Sequence, residues 1–72
     1  MIMEVEIFKT NVQEEADKNH VMTVIQTQFP GYKINFDLED CDKILRVEGD
    51  ELQPENIVEY VNHLGYVCVP LE

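Results

Sequence analysis

Few side chains in this sequence could bind a soft metal ion, and they are far apart. Cys41 and Cys68 form no Cys-x-x-Cys pair, and His20 and His63 are each isolated. Two cysteines are too few for a disulfide framework, which fits a reducing compartment such as the cytoplasm. We expect Cys68 to be a small buried core residue, because it alternates inward in a short apolar segment near the C-terminus.

Three weaker metal-binding arrangements are open to this chain, and the third is Cys68 itself, although core packing explains that residue as well. Glu14 and Asp17 could offer carboxylate oxygens to a divalent cation, although acids at this position also stabilise the positive end of a helix. Cys41, in a polar turn between Asp40 and Asp42, could bind a metal ion together with His63. The candidate metal ligands are therefore Glu14, Asp17, Cys41 and His63.

The elements that position these residues can be predicted from periodicity. Residues 3–9 alternate as a strand with Met3, Val5 and Ile7 facing inward. A helix follows, with Asn11 as N-cap and Glu14 completing a capping box, and it ends at Pro30-Gly31. Its apolar stripe consists of Ala16, Val21, Val24, Ile25 and Phe29.

The second half of the chain predicts a hairpin, a helix and a last strand. Residues 32–38 alternate strictly, residues 43–48 form the returning strand, and Gly49 is expected to break it. Pro54 occupies the first position of the second helix, and Gly65 ends that helix. Residues 66–70 form the last strand. The inward side chains are Tyr32, Ile34, Phe36, Leu38, Leu45, Val47, Ile57, Val61 and Leu64.

The order of these elements predicts one ferredoxin-like α+β domain over residues 1–70. Its βαββαβ order closes as a four-stranded antiparallel sheet with both helices on one face. We expect the other face to carry polar side chains, namely Glu4, Glu6, Lys33, Asn35, Asp37, Arg46 and Glu48. In this topology the first loop, the hairpin tip and the end of the second helix share one edge of the sheet. Residues 71–72, Leu-Glu, are a common vector-derived joint, and we expect them to have no part in function.

The chain resembles the heavy-metal-associated domain of copper chaperones and metal-pumping ATPases along nearly its whole length. The resemblance rests on the element order, on residues 52–58 (Leu-Gln-Pro-Glu-Asn-Ile-Val) and on residues 64–66 (Leu-Gly-Tyr). The metal motif of that family is Met-x-Cys-x-x-Cys in the first loop. Here Val12 takes the position of the methionine, and Glu14 and Asp17 take those of the cysteines. The resemblance therefore implies a degenerate member without the thiolate site.

Charge narrows the partners that this chain can bind. Fifteen acidic residues against five basic ones give a net charge of −10. Such a chain is repelled by nucleic acid and by anionic membranes, and it attracts basic protein surfaces. The sequence also lacks an apolar run of about 18 residues that could span a membrane. We expect a cytoplasmic protein, as a monomer or weak dimer, with a basic protein surface as partner.

The sequence contains no arrangement typical of an enzyme. There is no glycine-rich phosphate loop and no paired nucleophile and base. A domain this thin is also expected to have little room for a small-molecule pocket of about 300 Å³. We therefore predict a non-catalytic domain without a cofactor that acts through protein contacts, with residues 32–38 as an exposed edge strand. The alternatives are a module with a relocated site for a divalent or copper ion, and a small catalytic or ligand-binding regulatory domain.

Overall fold

The fold is the predicted ferredoxin-like α+β fold. The computed structural model describes residues 3–39, 41 and 43–71. Its elements are β1 (Met3–Thr10), α1 (Glu15–Gln28), β2 (Lys33–Asp37), β3 (Ile44–Asp50), α2 (Pro54–His63) and β4 (Cys68–Leu71). The four strands form one antiparallel sheet in the order β2-β3-β1-β4. Asp40 and Asp42, which flank Cys41 in the sequence, lie outside the described residues.

The core lies between the two helices and one face of the sheet. Each element supplies apolar side chains at the spacing of its own period, two for the strands and three or four for the helices. The fully buried side chains are Phe8, Val12, Val21, Ile25, Leu45, Val47, Ile57 and Val61. Most of the predicted core is therefore confirmed, including Cys68, which is only 4% exposed.

The inward face of β1 is the opposite of the predicted one. Met3 and Val5 are 67% and 43% exposed, whereas Phe8 and Thr10 are buried. Phe8 lies opposite buried Leu45 in the register with β3. The even-numbered side chains of β1 face the helices because the buried positions continue from Phe8 through Thr10 to Val12 in the following loop. Burying Phe8 together with Val12 removes more apolar surface from water than burying Met3 and Val5.

Two acids predicted on the uncovered face consequently lie on the helix side. Glu6 is opposite buried Val47, and Glu4 is opposite Gly49. The Glu4 carboxylate accepts a hydrogen bond from the backbone N–H of Leu52, with a distance of 2.9 Å. The other predicted outward positions, on β2 and β3, agree with the register. The uncovered face is thus polar on β2 and β3 and mainly apolar on β1.

The first helix begins later than predicted. Its N-cap is Glu14, which makes no capping hydrogen bond with its side chain, so the predicted Asn11 cap is wrong. The Asn11 side-chain oxygen instead accepts a hydrogen bond from the backbone N–H of Val67 at 2.8 Å. Ala16, predicted in the apolar stripe, is exposed. A contact distant in sequence has displaced the local capping pattern.

Gly49 lies inside β3 and does not break it. A Cβ atom at this position would come within 2.3 Å of Cδ1 of Tyr32. The ring of Tyr32 therefore packs directly against the strand backbone, which only glycine permits. The predicted ends of α2 are confirmed, with Pro54 in its first turn and Gly65 following it at φ +97°. Leu71 is the last residue of β4 and lies opposite Ile7.

Candidate functional site

Three connections meet at one edge of the sheet, as predicted. Ile44, at the start of β3, lies opposite both Lys9 near the end of β1 and Asp37 at the end of β2. Lys9 is in turn opposite Val69 in β4. The β1–α1 loop, the β2–β3 hairpin and the α2–β4 connection therefore lie side by side.

Hydrogen bonds tie the β1–α1 loop to both neighbours. The hydroxyl of buried Thr10 donates to the carbonyl oxygen of Lys43 at 2.6 Å and accepts from the backbone N–H of Val12 at 3.3 Å. The bond from Val67 to Asn11 fastens the same loop to the segment before β4. Buried hydrogen bonds are costly to leave unmade, so these contacts fix the path of the loop.

Of the two carboxylates predicted as an oxygen site, that of Asp17 has a structural partner. The hydroxyl of Tyr66 donates to Oδ1 of Asp17 at 2.7 Å. This hydrogen bond, together with partial burial and the negative charge, raises the pKa of Tyr66. The exposed Glu14 occupies the N-cap position, and its carbonyl oxygen accepts the backbone N–H of Lys18 at 2.9 Å. Binding a cation through Asp17 would therefore compete with the Tyr66 contact.

The remaining two candidate ligands are both exposed. Cys41 is a free thiol in the hairpin turn, and His63 lies in the last turn of α2. Within the described residues, no group of three or more His, Cys, Asp or Glu side chains is placed to hold a metal ion. The metal site at Glu14, Asp17, Cys41 and His63 stays a prediction.

The thiol of the second cysteine, Cys68, is unreactive. Cys68 is buried and free, and burial raises the pKa of its thiol to about 12. A thiol in that state is neutral at physiological pH and is a poor nucleophile. Its role is to fill the core beneath β4, as predicted.

A groove along the exposed side of α2 was not predicted from the sequence. It encloses about 370 Å³ and is lined by Phe29, Asn56, Glu59, Tyr60 and His63. This volume lies at the lower end of the range for small-molecule sites, contrary to our expectation that so thin a domain lacks the room. On α2, Glu59, Tyr60 and His63 follow Asn56 by three, four and seven positions, which places all four residues on one stripe of the helix. That spacing was the signal available in the sequence.

An aromatic cluster builds one end of this groove. The Phe29 ring stacks on Tyr32 with centroids 5.0 Å apart, and Tyr60 meets Phe29 edge-on at 5.6 Å. The Tyr60 hydroxyl donates to Oε1 of Gln28 at 3.1 Å, which ties the end of α1 to α2. These contacts hold the Phe29 and Tyr60 rings in place, and the exposed Glu59 lines the same groove.

Charge is unevenly divided between the two sides of the domain. The uncovered sheet face carries three basic and three acidic side chains: Lys9, Lys33, Arg46, Asp37, Glu48 and Asp50. Arg46 and Glu48 form an ion pair of 3.0 Å there. Elsewhere in the described residues two basic side chains stand against nine acidic ones: Lys18, Lys43, Glu4, Glu6, Glu14, Glu15, Asp17, Glu39, Glu51, Glu55 and Glu59. The negative charge is therefore concentrated on the helix side of the sheet and in the loops.

The described helices are too short or too polar for one of them to cross a membrane. Comparison of the chain with protein-family models, with curated proteins and with solved structures finds no match in any of the three.

Proposed function

We propose that this protein is a non-catalytic interaction domain that binds a basic surface of another protein. The α2 groove would hold one arginine or lysine side chain of the partner. The observation that carries the proposal is the position of Glu59 beside Phe29 and Tyr60, on the side of the domain that holds the excess negative charge. We also infer descent from a heavy-metal-associated domain that lost its thiolates, which the βαββαβ order and the sulfur-free first loop support.

The chemistry of the groove suits a cationic side chain. Aromatic rings attract a guanidinium or ammonium group by about 0.5–2 kcal/mol, depending on how well water is excluded. A carboxylate such as Glu59 adds a charge-assisted hydrogen bond, which an arginine can make in a bidentate way. Neighbouring acids on α2 and its flanks, Glu51 and Glu55, would contribute long-range attraction that salt screens.

Strand β2 offers a second contact for the same partner. It is the terminal strand of the sheet order, so the predicted edge position of residues 32–38 agrees with the topology. An edge strand exposes backbone donors and acceptors that can pair with an extended segment of another protein. Its outward side chains, Lys33, Asn35 and Asp37, include both charges, which disfavours indiscriminate pairing.

A peptide titration tests this function. We expect an arginine-rich synthetic peptide to shift the backbone amide resonances of Asn56, Glu59, Tyr60 and His63 in a saturable way. Raising the salt concentration should weaken the binding, because exposed charge attraction is screened. Glu59→Lys should reduce the affinity by at least about tenfold, since it replaces an attraction with a repulsion.

Asp50→Lys is the matched control. It changes the net charge by the same amount, but Asp50 lies on the uncovered face of the sheet. It should leave the affinity within about threefold of the unmodified protein. Equal weakening by the two variants would mean that only the total charge matters, and would contradict a binding site in the groove.

A further inference from the structure

The uncovered face of the sheet carries a group of exposed apolar side chains on β1, on β4 and directly before β4. We call this group the open-face patch, and it consists of Met3, Val5, Ile7, Val67 and Val69. Met3, Val5, Val67 and Val69 are between 43% and 67% exposed, and Ile7 is half-buried. Single exposed apolar side chains are ordinary, but a contiguous group on one face marks a contact surface.

The register of the sheet makes the patch continuous. β1 and β4 are neighbouring strands with Lys9 opposite Val69, so Ile7, two residues before Lys9 on the same face, is the diagonal neighbour of Val69. Neighbouring strands are about 4.8 Å apart, and side chains on the same face of a strand repeat every two residues. Half-buried Ile44 on β3 and Val69 on β4 flank Lys9, so in a stacked face the Lys9 ammonium has to reach past them to water at this edge of the sheet.

The charge on this face decides which partner fits it. Two copies of a chain with net charge −10 repel each other wherever their helices and loops would meet. The uncovered face is different, since its basic and acidic side chains are equal in number. Lys33 of one copy can meet Asp37 of the other with opposite signs facing, and the Arg46–Glu48 ion pair within each copy leaves those two charges matched.

We propose that two copies of this chain form a dimer by stacking their uncovered sheet faces about a two-fold axis. The open-face patch of one copy covers that of the other, and the charged halves on β2 and β3 form a polar rim. An apolar group paired with its own copy is self-complementary, as a two-fold interface requires. The α2 groove lies on the opposite side of the sheet and stays open in both copies.

The size of the face predicts a weak dimer. Four strands about 4.8 Å apart and on average about six residues long span roughly 19 by 20 Å, so the stacked pair buries roughly 760 Å² in total. Interfaces below about 1,200 Å² belong to weak or transient complexes. We therefore expect a dissociation constant on the order of 10–100 µM.

Analytical ultracentrifugation over a range of protein concentrations tests the dimer. The unmodified chain should shift from monomer to dimer near the expected dissociation constant. Val5→Arg and Val69→Arg should each weaken association by at least about tenfold, because a charge in the stacked face loses its water without a partner. Higher salt should strengthen the dimer or leave it unchanged, because it screens the repulsion between the two negatively charged copies. The same change in salt weakens the binding of a basic peptide.

Asn19→Arg is the control, because it introduces the same charge at an exposed position of α1. It should leave the dissociation constant unchanged, and circular dichroism should show all three variants folded. A chain that stays monomeric well above about 100 µM, or a dimer that Val5→Arg and Val69→Arg leave intact, would overturn the proposal.

Discussion

The close approach of Tyr32 to Gly49 makes Gly49→Ala the most informative single substitution in this protein. The new Cβ atom would lie 2.3 Å from Cδ1, 2.8 Å from Cε1 and 3.1 Å from Cγ of Tyr32. These atoms belong to a ring that stacks on Phe29, so the ring cannot move without losing that contact. The substitution therefore acts on the aromatic cluster beside the α2 groove.

The cost can be worked out from these contacts. Forcing a methyl group into a packed site costs about 1–3 kcal/mol, and losing the stacked pair costs about 0.5–1.5 kcal/mol. Alanine restricts the unfolded chain more than glycine and returns about 0.4–1 kcal/mol. We expect a net loss of about 2 kcal/mol in the free energy of unfolding. For a domain of this size that lowers the Tm by about 8–16 °C.

Urea denaturation followed by circular dichroism measures this loss, and a double-mutant cycle with Tyr32→Ala assigns it. In the Tyr32→Ala background the space next to Gly49 is open, so Gly49→Ala should be neutral or slightly stabilising. Gly31→Ala is the matched control, because nothing lies within 4 Å of its added Cβ and its φ is not positive. Were Gly49→Ala to cost the same in both backgrounds, the contact with Tyr32 would not be the cause.

Two further substitutions test buried groups. Burial raises the pKa of Cys68 from 9.0 to about 12, so the unfolded chain loses this proton first and stability should fall as the pH rises from about 9 towards 12. Between about pH 8 and about pH 10, the urea midpoint of Cys68→Ala should fall less than that of the unmodified protein. An equal fall in the two proteins would refute the assignment of this pH dependence to Cys68. Thr10→Val should lower the free energy of unfolding by about 1–2 kcal/mol, because the Lys43 carbonyl oxygen loses the hydrogen bond from the Thr10 hydroxyl. Thr23→Val on the exposed side of α1 should stay within about 0.5 kcal/mol in the same urea assay, and a similar loss in both variants would refute the role of the tether.

The sequence predicted the elements and their order well because most of them have one clear period. The strict alternation of residues 32–38 and the Pro54 and Gly65 signals of α2 correspond to observed elements. The inward face of β1 was wrong because both registers of that strand contain apolar residues. Choosing between them required knowing that Val12, in the loop beyond the strand, is also buried.

The candidate site was harder to predict than the fold. Asn11 is a residue type typical of a helix N-cap, yet its side chain accepts a hydrogen bond from the backbone N–H of Val67, which is distant in the sequence. The groove combines Phe29 after the end of α1 with a stripe of α2, and only the packing of the two helices brings them together. Such contacts depend on tertiary distances, which local patterns do not specify.

The sheet, the core and helix α2 together separate the α2 groove from the open-face patch. A ligand on one side therefore leaves the other side accessible, so the two surfaces can be occupied at the same time. A stacked pair would hold its two grooves on opposite outer surfaces and could bridge two basic proteins. Such a bridge gains strength by avidity only where the partners are themselves linked at a matching separation, which would favour clustered targets over isolated ones.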